Sequence, residues 1–375
     1  MATDRILNIL RQRIASGEYK PGHRIPTQRV LSDEFGVSPV TVQKALDSLN
    51  RDGFIETRGR NGTFVSTTPP CSHRYALLYP DVRDGNTFWS SFWERIRHAG
   101  TRYENQNDGV KITPYYGISG HEDVEDYQSL IADLQAHRLA GMISFVPAWL
   151  QEQIPHLRES STPLTYVAPT SLHTPHERRG DVLTILDNHR FLEMALDRLA
   201  ERGRKTVGLL SRMGPPEAVA DLFYEGCARR GLRTHRRYVQ YVHTQPAVAA
   251  RHAAELLIGD PDRPQIDALI IDDDHLVRQA TAGLLAAGVS SPEDVHVVAH
   301  ANFPETLEAV CPVDLLGYDL DEVIASSIHL LNNVRGGADL PASVRVLPTF
   351  GDSRQKTARP PHYRFALTSP TVSQR

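Results

Sequence analysis

Cysteine is scarce in this chain: Cys71, Cys227 and Cys311 stand far apart and are odd in number. That spacing excludes a disulfide framework and a CxxC metal knuckle, and it fits a reducing compartment. No apolar run approaches the roughly 18 residues that a membrane span needs, so no membrane partner is expected. Met1 to Arg5 lead into an amphipathic segment rather than a signal-peptide apolar core, and the expected location is the cytoplasm. Signatures of enzyme chemistry are missing as well: a GxGxxG loop after a strand, a GxxxxGKS or GxxxxGKT loop, and a GxSxG elbow. Beyond residue 67 the lysines are Lys111, Lys205 and Lys356, none in a setting that suits a Schiff base with pyridoxal phosphate. Asp272-Asp273-Asp274 has no spaced partner ligands and reads as a turn, and the 17 histidines are scattered, with His173 and His176 in a proline-rich loop. No catalytic residue, no metal and no cofactor is expected.

What is present divides unevenly. A chain of 375 residues is too long for one ordinary core, and two or three domains are the prior. Residues 1–67 hold ten Lys/Arg against seven Asp/Glu, whereas the remainder hold 31 against 38. A small basic head on an acidic body fits a nucleic-acid-binding module tethered to something else. Within the head, Ile6, Ile9, Leu10 and Ile14 recur at helical spacing until Gly17. Thr27 offers a cap for a second helix that buries Val30, Leu31 and Phe35 and ends at Gly36. Ser38 offers a cap for a third, with Val42, Leu46 and Leu49 on its inner face. After Gly53 the period changes: Phe54–Thr57 and Thr63–Ser66 read as a hairpin around Arg58-Gly59-Arg60-Asn61-Gly62. Helix, helix, recognition helix and basic-tipped hairpin together describe a winged helix-turn-helix over residues 1–67.

These residues resemble the GntR family of bacterial regulators. The family's opening of the second helix appears as Pro26-Thr27-Gln28-Arg29, its turn as Phe35-Gly36-Val37-Ser38, and its recognition helix as Thr41 to Leu46. The end of its wing appears as Arg60-Asn61-Gly62-Thr63-Phe64-Val65. The resemblance implies a double-stranded DNA operator as partner, contacted by Arg29, Ser38, Thr41, Gln43, Lys44, Arg58, Arg60 and Gly62. Arg29 and Lys44 would meet phosphate or base edges, Thr41 and Gln43 bases, and the wing arginines the backbone or minor groove. Two positions depart from the family pattern, where arginine is common: Pro39 and Gln43. Gln43 favours adenine where arginine would favour guanine.

Past Pro69-Pro70, a linker over 68–74 leads to alternating strands and helices over 75–352, followed by an irregular tail over 353–375. Strands are expected at 75–79, 110–115, 141–146, 164–167, 183–186, 207–210, 238–241, 268–271 and 295–298, with helices at 88–104, 124–137 and 188–202. The alternation predicts an α/β body of parallel sheets in two lobes. The block from Asp267 to Asp274, with Gly288 to Val298, is similar to the type I periplasmic-binding-protein fold, as in lactose- and purine-type repressors. A minority of GntR regulators, the arabinose-repressor type, carry such a body. The resemblance implies a small-molecule effector between the lobes, first expected to be a sugar or related metabolite, held by Phe88, Trp89, Asp187, Asp274 and Asn302. Phe223 stands where sugar-binding relatives carry an arginine, and Ala299-His300-Ala301-Asn302, placed after a strand ending at Val298, lacks their Gly-x-Asp. Asp274 could instead cap the helix that follows it. The whole reads as a homodimeric repressor. The alternatives are a body that serves mainly for dimerisation and one with enzyme-like ligand chemistry; a free solute-binding protein fails on the winged helix and the missing signal peptide.

Overall fold

The computed structural model describes residues 2–80, 91–119, 123–147, 150, 153–169, 182–212, 216–243, 248–260, 263–305, 309–337 and 343–351. The winged helix comes first. Helix α1 (Ala2–Ala15) buries Ile6, Leu10 and Ile14 on one face. Helix α2 (Gln28–Phe35) starts where the Thr27 hydroxyl accepts from the Val30 amide, and it ends at Gly36 with φ 65°. A left-handed residue closes a helix most cheaply when it has no Cβ, so this tight turn calls for glycine. Helix α3 (Pro39–Arg51) starts at Ser38, whose hydroxyl accepts from the Thr41 amide, and Pro39 fills a first-turn position that needs no N–H donor. Leu31, Val42, Ala45 and Leu49 are fully buried between the helices. The wing pairs β1 (Ile55–Thr57) antiparallel with β2 (Thr63–Val65), joined through a 3-10 turn at Gly59–Asn61.

A single helical turn, α4 (Pro70–His73), runs straight into the body. The first lobe contains β3 (Arg74–Leu78), α5 (Ser91–Gln106), β4 (Lys111–Tyr115), α6 (Glu125–Gln135), β5 (Gly141–Ser144), α7 (Pro155–Glu159), β6 (Leu164–Pro169) and β7 (Val182–Leu186). The second contains α8 (Asn188–Glu201), β8 (Val207–Arg212), α9 (Pro216–Arg229), β9 (Val239–Val242), α10 (Val248–Ile258), and a small pair β10 (Gly259–Asp260) and β11 (Arg263–Pro264). It continues with β12 (Ala268–Ile271), α11 (Asp274–Ala286), β13 (His296–Phe303) and β14 (Asp314–Asp319). The chain then returns to the first lobe as α12 (Leu320–Arg335) and β15 (Ser343–Val346), and ends in the second as β16 (Thr349–Phe350).

Both sheets have six strands: β15-β7-β6-β5-β3-β4 in the first lobe, all parallel, and β16-β14-β13-β12-β8-β9 in the second, parallel except for β16. Fully buried runs such as Ala76-Leu77-Leu78 and Ala268-Leu269-Ile270-Ile271 suit strands covered on both faces. The polypeptide crosses between lobes after β7, after β14 and after β15, always from the carboxyl end of a strand. Those ends therefore face the lobe boundary, where a doubly wound sheet places its ligand.

Several expectations move. The helix assigned to 88–104 begins within the described residues at Ser91, and the tail beyond 352 lies outside them. The strand thought to end at Val298 continues to Phe303, so His300 and Asn302 lie on β13. Strand β14 and helix α12, which make the second crossing, were not anticipated.

Candidate nucleic-acid interface and interlobe cleft

The reading end of the winged helix is built by two caps. The Ser38 hydroxyl holds the first turn of α3 and lies 2.9 Å from Thr41 Oγ1, which orients both side chains at the amino end of the helix. Gln43 is exposed and donates from Nε2 to Asp47 Oδ1 at 2.8 Å, one turn along. Lys44 and Arg29 are exposed, with no ion-pair partner among the described residues. Gln28 donates to the Pro39 carbonyl at 2.7 Å and ties α2 to the start of α3. In the wing, Arg58 pairs with Glu56 and lies 4.6 Å over the Phe64 ring, while Arg60 projects without a partner among the described residues. Gly62, at φ 100°, brings the wing backbone against Arg24: a Cβ there would stand 2.6 Å from Arg24 Nε. Two residues of this face escaped the sequence reading. Val40, on the first turn of α3, is 65% exposed and offers a methyl group of the kind that packs on thymine. Arg24 bridges to Phe64 of the wing, and the basic residue beside Ile25 was its only sequence signal. Exposed donors, one apolar contact and cations without internal partners can take base edges and phosphates together.

The first lobe gathers aromatic rings at the carboxyl ends of β3, β4 and β5. Tyr79, just past β3, stacks on Tyr116 and Phe145 at 5.3 and 5.5 Å, and Trp93 lies 6.2 Å away. The expected aromatics Phe88 and Trp89 lie outside the described residues.

The second lobe supplies polar groups. Asp273, not Asp274, caps α11, its carboxylate accepting from the His275 amide. Asp274 is buried and is held from both lobes: Arg95 of α5 donates to Oδ2, and so does Asn302 Nδ2 at 2.9 Å. His275 Nδ1 lies 2.7 Å from Asp273 and 3.1 Å from Asp274. Burial works to lower the His275 pKa, but the bonds to these carboxylates raise it to about 9, so the ring is charged at neutral pH. Burial likewise works to raise the Asp274 pKa, and the bond to His275 with the nearby Arg95 holds it below the usual carboxylate range. Asp272, directly after β12, is pushed up to about 7 by burial against the bond from Ser211. Asp273, Asp274 and His275 offer ligand atoms within 4.8 Å of one another. Those atoms are already engaged by Arg95, Asn302 and one another, which makes the trio an ion-pair cluster.

Asp187 follows β7 directly. It caps α8 at the first crossing, accepting from the Arg190 amide at 3.1 Å, and its other oxygen faces Arg345 at 3.1 Å. Between the two regions lie His300 and Tyr318, rings 5.7 Å apart, with Phe191 on the far side of His300. Burial raises the Tyr318 pKa, and Asp187 and Asp272 add to it. Asn302 Oδ1, His300 Nδ1 and the Tyr318 hydroxyl are buried with no hydrogen-bond partner among the described residues. A buried polar atom is costly unless it is bonded, so these three could each take a hydrogen bond from a polar ligand group. Phe223 is fully buried in the core with Phe191 and Leu209.

Residues 2–65 match the family of bacterial regulatory proteins of the GntR type, and residues 196–350 match a periplasmic-binding-protein-like domain. The repressor NagR of Bacillus subtilis is 36% identical over 177 residues, which are 47% of this chain and 59% of that protein. TauR of Rhodobacter capsulatus, an HTH-type transcriptional regulator, is 34% identical over 130 residues, 33% of this chain and 26% of TauR. The mannosyl-D-glycerate system repressor MngR of Escherichia coli is 45% identical over 60 residues, 16% of this chain and 25% of MngR. The chain thus spans less than two thirds of each of these relatives. Among solved structures, a LacI-family regulator of Clostridium acetobutylicum superposes with TM-score 0.56 at 16% identity, covering 74% of this chain and 98% of that one. A LacI-family regulator of Arthrobacter in complex with lactose gives 0.55 at 15%, covering 74% and 97%. At such identities the likeness is one of fold. The chain thus joins a helix-turn-helix domain that matches the GntR type to a body that matches a periplasmic-binding-protein-like domain.

Proposed function

We propose that the chain is a sequence-specific DNA-binding transcription regulator, acting as a homodimeric repressor in the cytoplasm under the control of a small molecule bound between its lobes. The observation that carries this is the contrast within α3. Its inner face is wholly buried, while Ser38, Val40, Gln43 and Lys44 are left exposed beside the basic wing. The domains run over 1–67, 68–74 and 75–352. Thr41 and Gln43 read bases, and Arg29, Lys44, Arg58 and Arg60 hold phosphates, with Gly62 letting the wing backbone approach. The relatives are transcriptional regulators rather than enzymes, in keeping with a body whose polar groups bind rather than react.

In the cleft, Asn302 and Asp274, with His300, Tyr318 and the Tyr79 cluster, form the described part of an effector site, and Asp187 serves at its hinge. Stacking rings opposite hydrogen-bonding groups suit a sugar or a related polyol. Two experiments test the proposal. Selection of random duplexes by the purified chain should enrich a palindrome with half-sites about one helical turn apart, since one recognition helix covers only a few base pairs. Recovery of duplexes with no shared sequence would overturn it. Thermal-shift screening of polyols and sugars should then find a ligand that alters operator affinity by a coupling of roughly 1–3 kcal/mol.

A further inference from the structure

The winged helix meets the body through charges. Asp52, at the carboxyl end of α3, accepts from Arg11 of α1 inside the winged helix, and it also faces Arg138 NH2 of the first lobe at 3.3 Å. The same guanidinium donates from NH1 to Asp133 at 3.0 Å. Asp133 is in turn held by the Tyr115 hydroxyl at 2.7 Å and faces Arg74 at 3.6 Å. The turn that aims Arg138 is unusual. Two residues past the end of α6, His137 has φ 49°, a left-handed conformation that a non-glycine residue seldom adopts, and the Arg138 amide closes on the Asp133 carbonyl. Burial lowers the His137 pKa, and nearby Arg11 of the winged helix lowers it further, so the two domains face each other here as well. A second contact lies at the linker, where Arg335 at the end of α12 donates to the Cys71 carbonyl at 3.0 Å. The apolar clusters separate into one for the winged helix with Cys71 and four within the body, and none of them spans the junction among the described residues.

We infer that Arg138 is a docking residue: bridging Asp133 and Asp52, it locks the winged helix onto the first lobe by the end of α3 that lies away from the reading tip. The lock aims the recognition helix without covering it, because Ser38, Thr41 and Gln43 stand toward the opposite end. A guanidinium suits the task because its rigid fork serves two carboxylates at once, whereas an ammonium offers one point charge. The partner is this chain's own amino-terminal domain, and the inference requires neither the operator nor the effector reading to hold.

The test is small-angle scattering on the full chain over a salt series. Arg138→Ala is the informative variant, because Asp52 keeps Arg11 and Asp133 keeps Tyr115 and Arg74, so both domains retain their internal bonds. Substituting Asp52 would instead strand Arg11, which is 7% exposed. At about 0.05 M salt, Arg138→Ala should raise the radius of gyration by about a tenth as one compact body becomes two. Arg138→Lys should fall between it and the wild type. The wild type should approach the Arg138→Ala value near 1 M salt, where screening acts within about 3 Å. Scattering curves for Arg138→Ala and wild type that superpose at every salt concentration overturn the inference. If Arg138→Ala does not fold, the wild-type series decides alone, and a curve unchanged up to 1 M rejects the lock.

Discussion

The recognition surface and the interlobe cleft treat their charges in opposite ways. On α3 and the wing, Lys44 and Arg60 stand in solvent without partners among the described residues, and Gln43 makes one exposed bond. In the cleft, Asp274 is held by Arg95, Asn302 and His275, Asp273 by His275, and Asp187 by Arg345 and an α8 amide. Water solvates an exposed cation at little cost, so a surface meant for a polyanion can leave its charges waiting. A carboxylate carried into a cleft pays heavily for desolvation and must bring its counter-charges along. The residues proposed to recognise DNA are therefore nearly independent of the fold, and those that line the cleft are part of it.

The sharpest way to break that comparison is a pair of truncations. Asp274→Ala should cost about 3 kcal/mol of unfolding free energy, because Arg95 and His275 lose the carboxylate they share and keep only Glu305 and Asp273. Arg60→Ala should stay within about 0.5 kcal/mol of wild type. Denaturant melts of both variants check this, and equal costs would erase the distinction.

A pH titration comes next in size. The folded pKa of His275 is raised to about 9 from an ordinary 6.5, so its contribution is complete below about pH 6.5 and is lost as pH rises toward 9. Asp272, raised to about 7, acts in the same direction, but its window closes near pH 7. Between pH 7 and 9 the wild type should lose on the order of 2–3 kcal/mol through His275. The profile of His275→Gln should be flat across that interval. A wild type as stable at pH 9 as at pH 7 would show that the cluster is not ionised as described.

Gly62→Ala probes the exposed side of the comparison, and its effect is smaller. At φ 100° an alanine is strained by about 1–2 kcal/mol, and its Cβ forces Arg24 to swing off the wing. Since the guanidinium is mobile and exposed, the loss should be confined to the wing. Nonspecific DNA affinity should fall while the melting of the body stays unchanged. Loss of both would mean that the wing supports more than itself.

How much of this was legible follows from the distance between partners. The turn Phe35-Gly36-Val37-Ser38 and its caps are decided within a few residues, and they form as the sequence predicts. The alternation of strands is equally local, and it yields both lobes. The second crossing was missed because β14 opens on Asp314 and contains Gly317, which breaks its apolar run; that glycine is required because a Cβ there would collide with the Ala301 carbonyl. In the cleft, Asp274 and Asn302 were found together, but Arg95 lies 179 residues away from Asp274, and no periodicity links them. The capping role read into Asp274 belongs to Asp273, a one-residue shift fixed by how β12 hands over to α11. His300 stood within a segment noted only for what it lacked, although it lies on β13 beside Tyr318.

The smallest expected effect is also the most discriminating for the recognition helix. Gln43 can bond both edge atoms of an adenine, yet in the free protein its Nε2 already donates to Asp47 at 2.8 Å. Binding exchanges that exposed bond for one to the base, so the net gain lies at the lower end of the usual range. Gln43→Ala should cost about 1 kcal/mol on the selected operator and almost nothing on a scrambled duplex. Arg60→Ala removes the proposed phosphate contact instead. It should weaken both duplexes alike and reduce the slope of log affinity against log salt by about one. Asp47→Ala sharpens the contrast, because it frees Gln43 and removes an anion from the DNA face, and it should therefore bind the operator more tightly than wild type does. A salt series on both duplexes with the three variants tests the set. If Gln43→Ala weakens the scrambled duplex as much as the operator, α3 does not present Gln43 to the bases, and the exposed tip of this helix holds DNA without reading it.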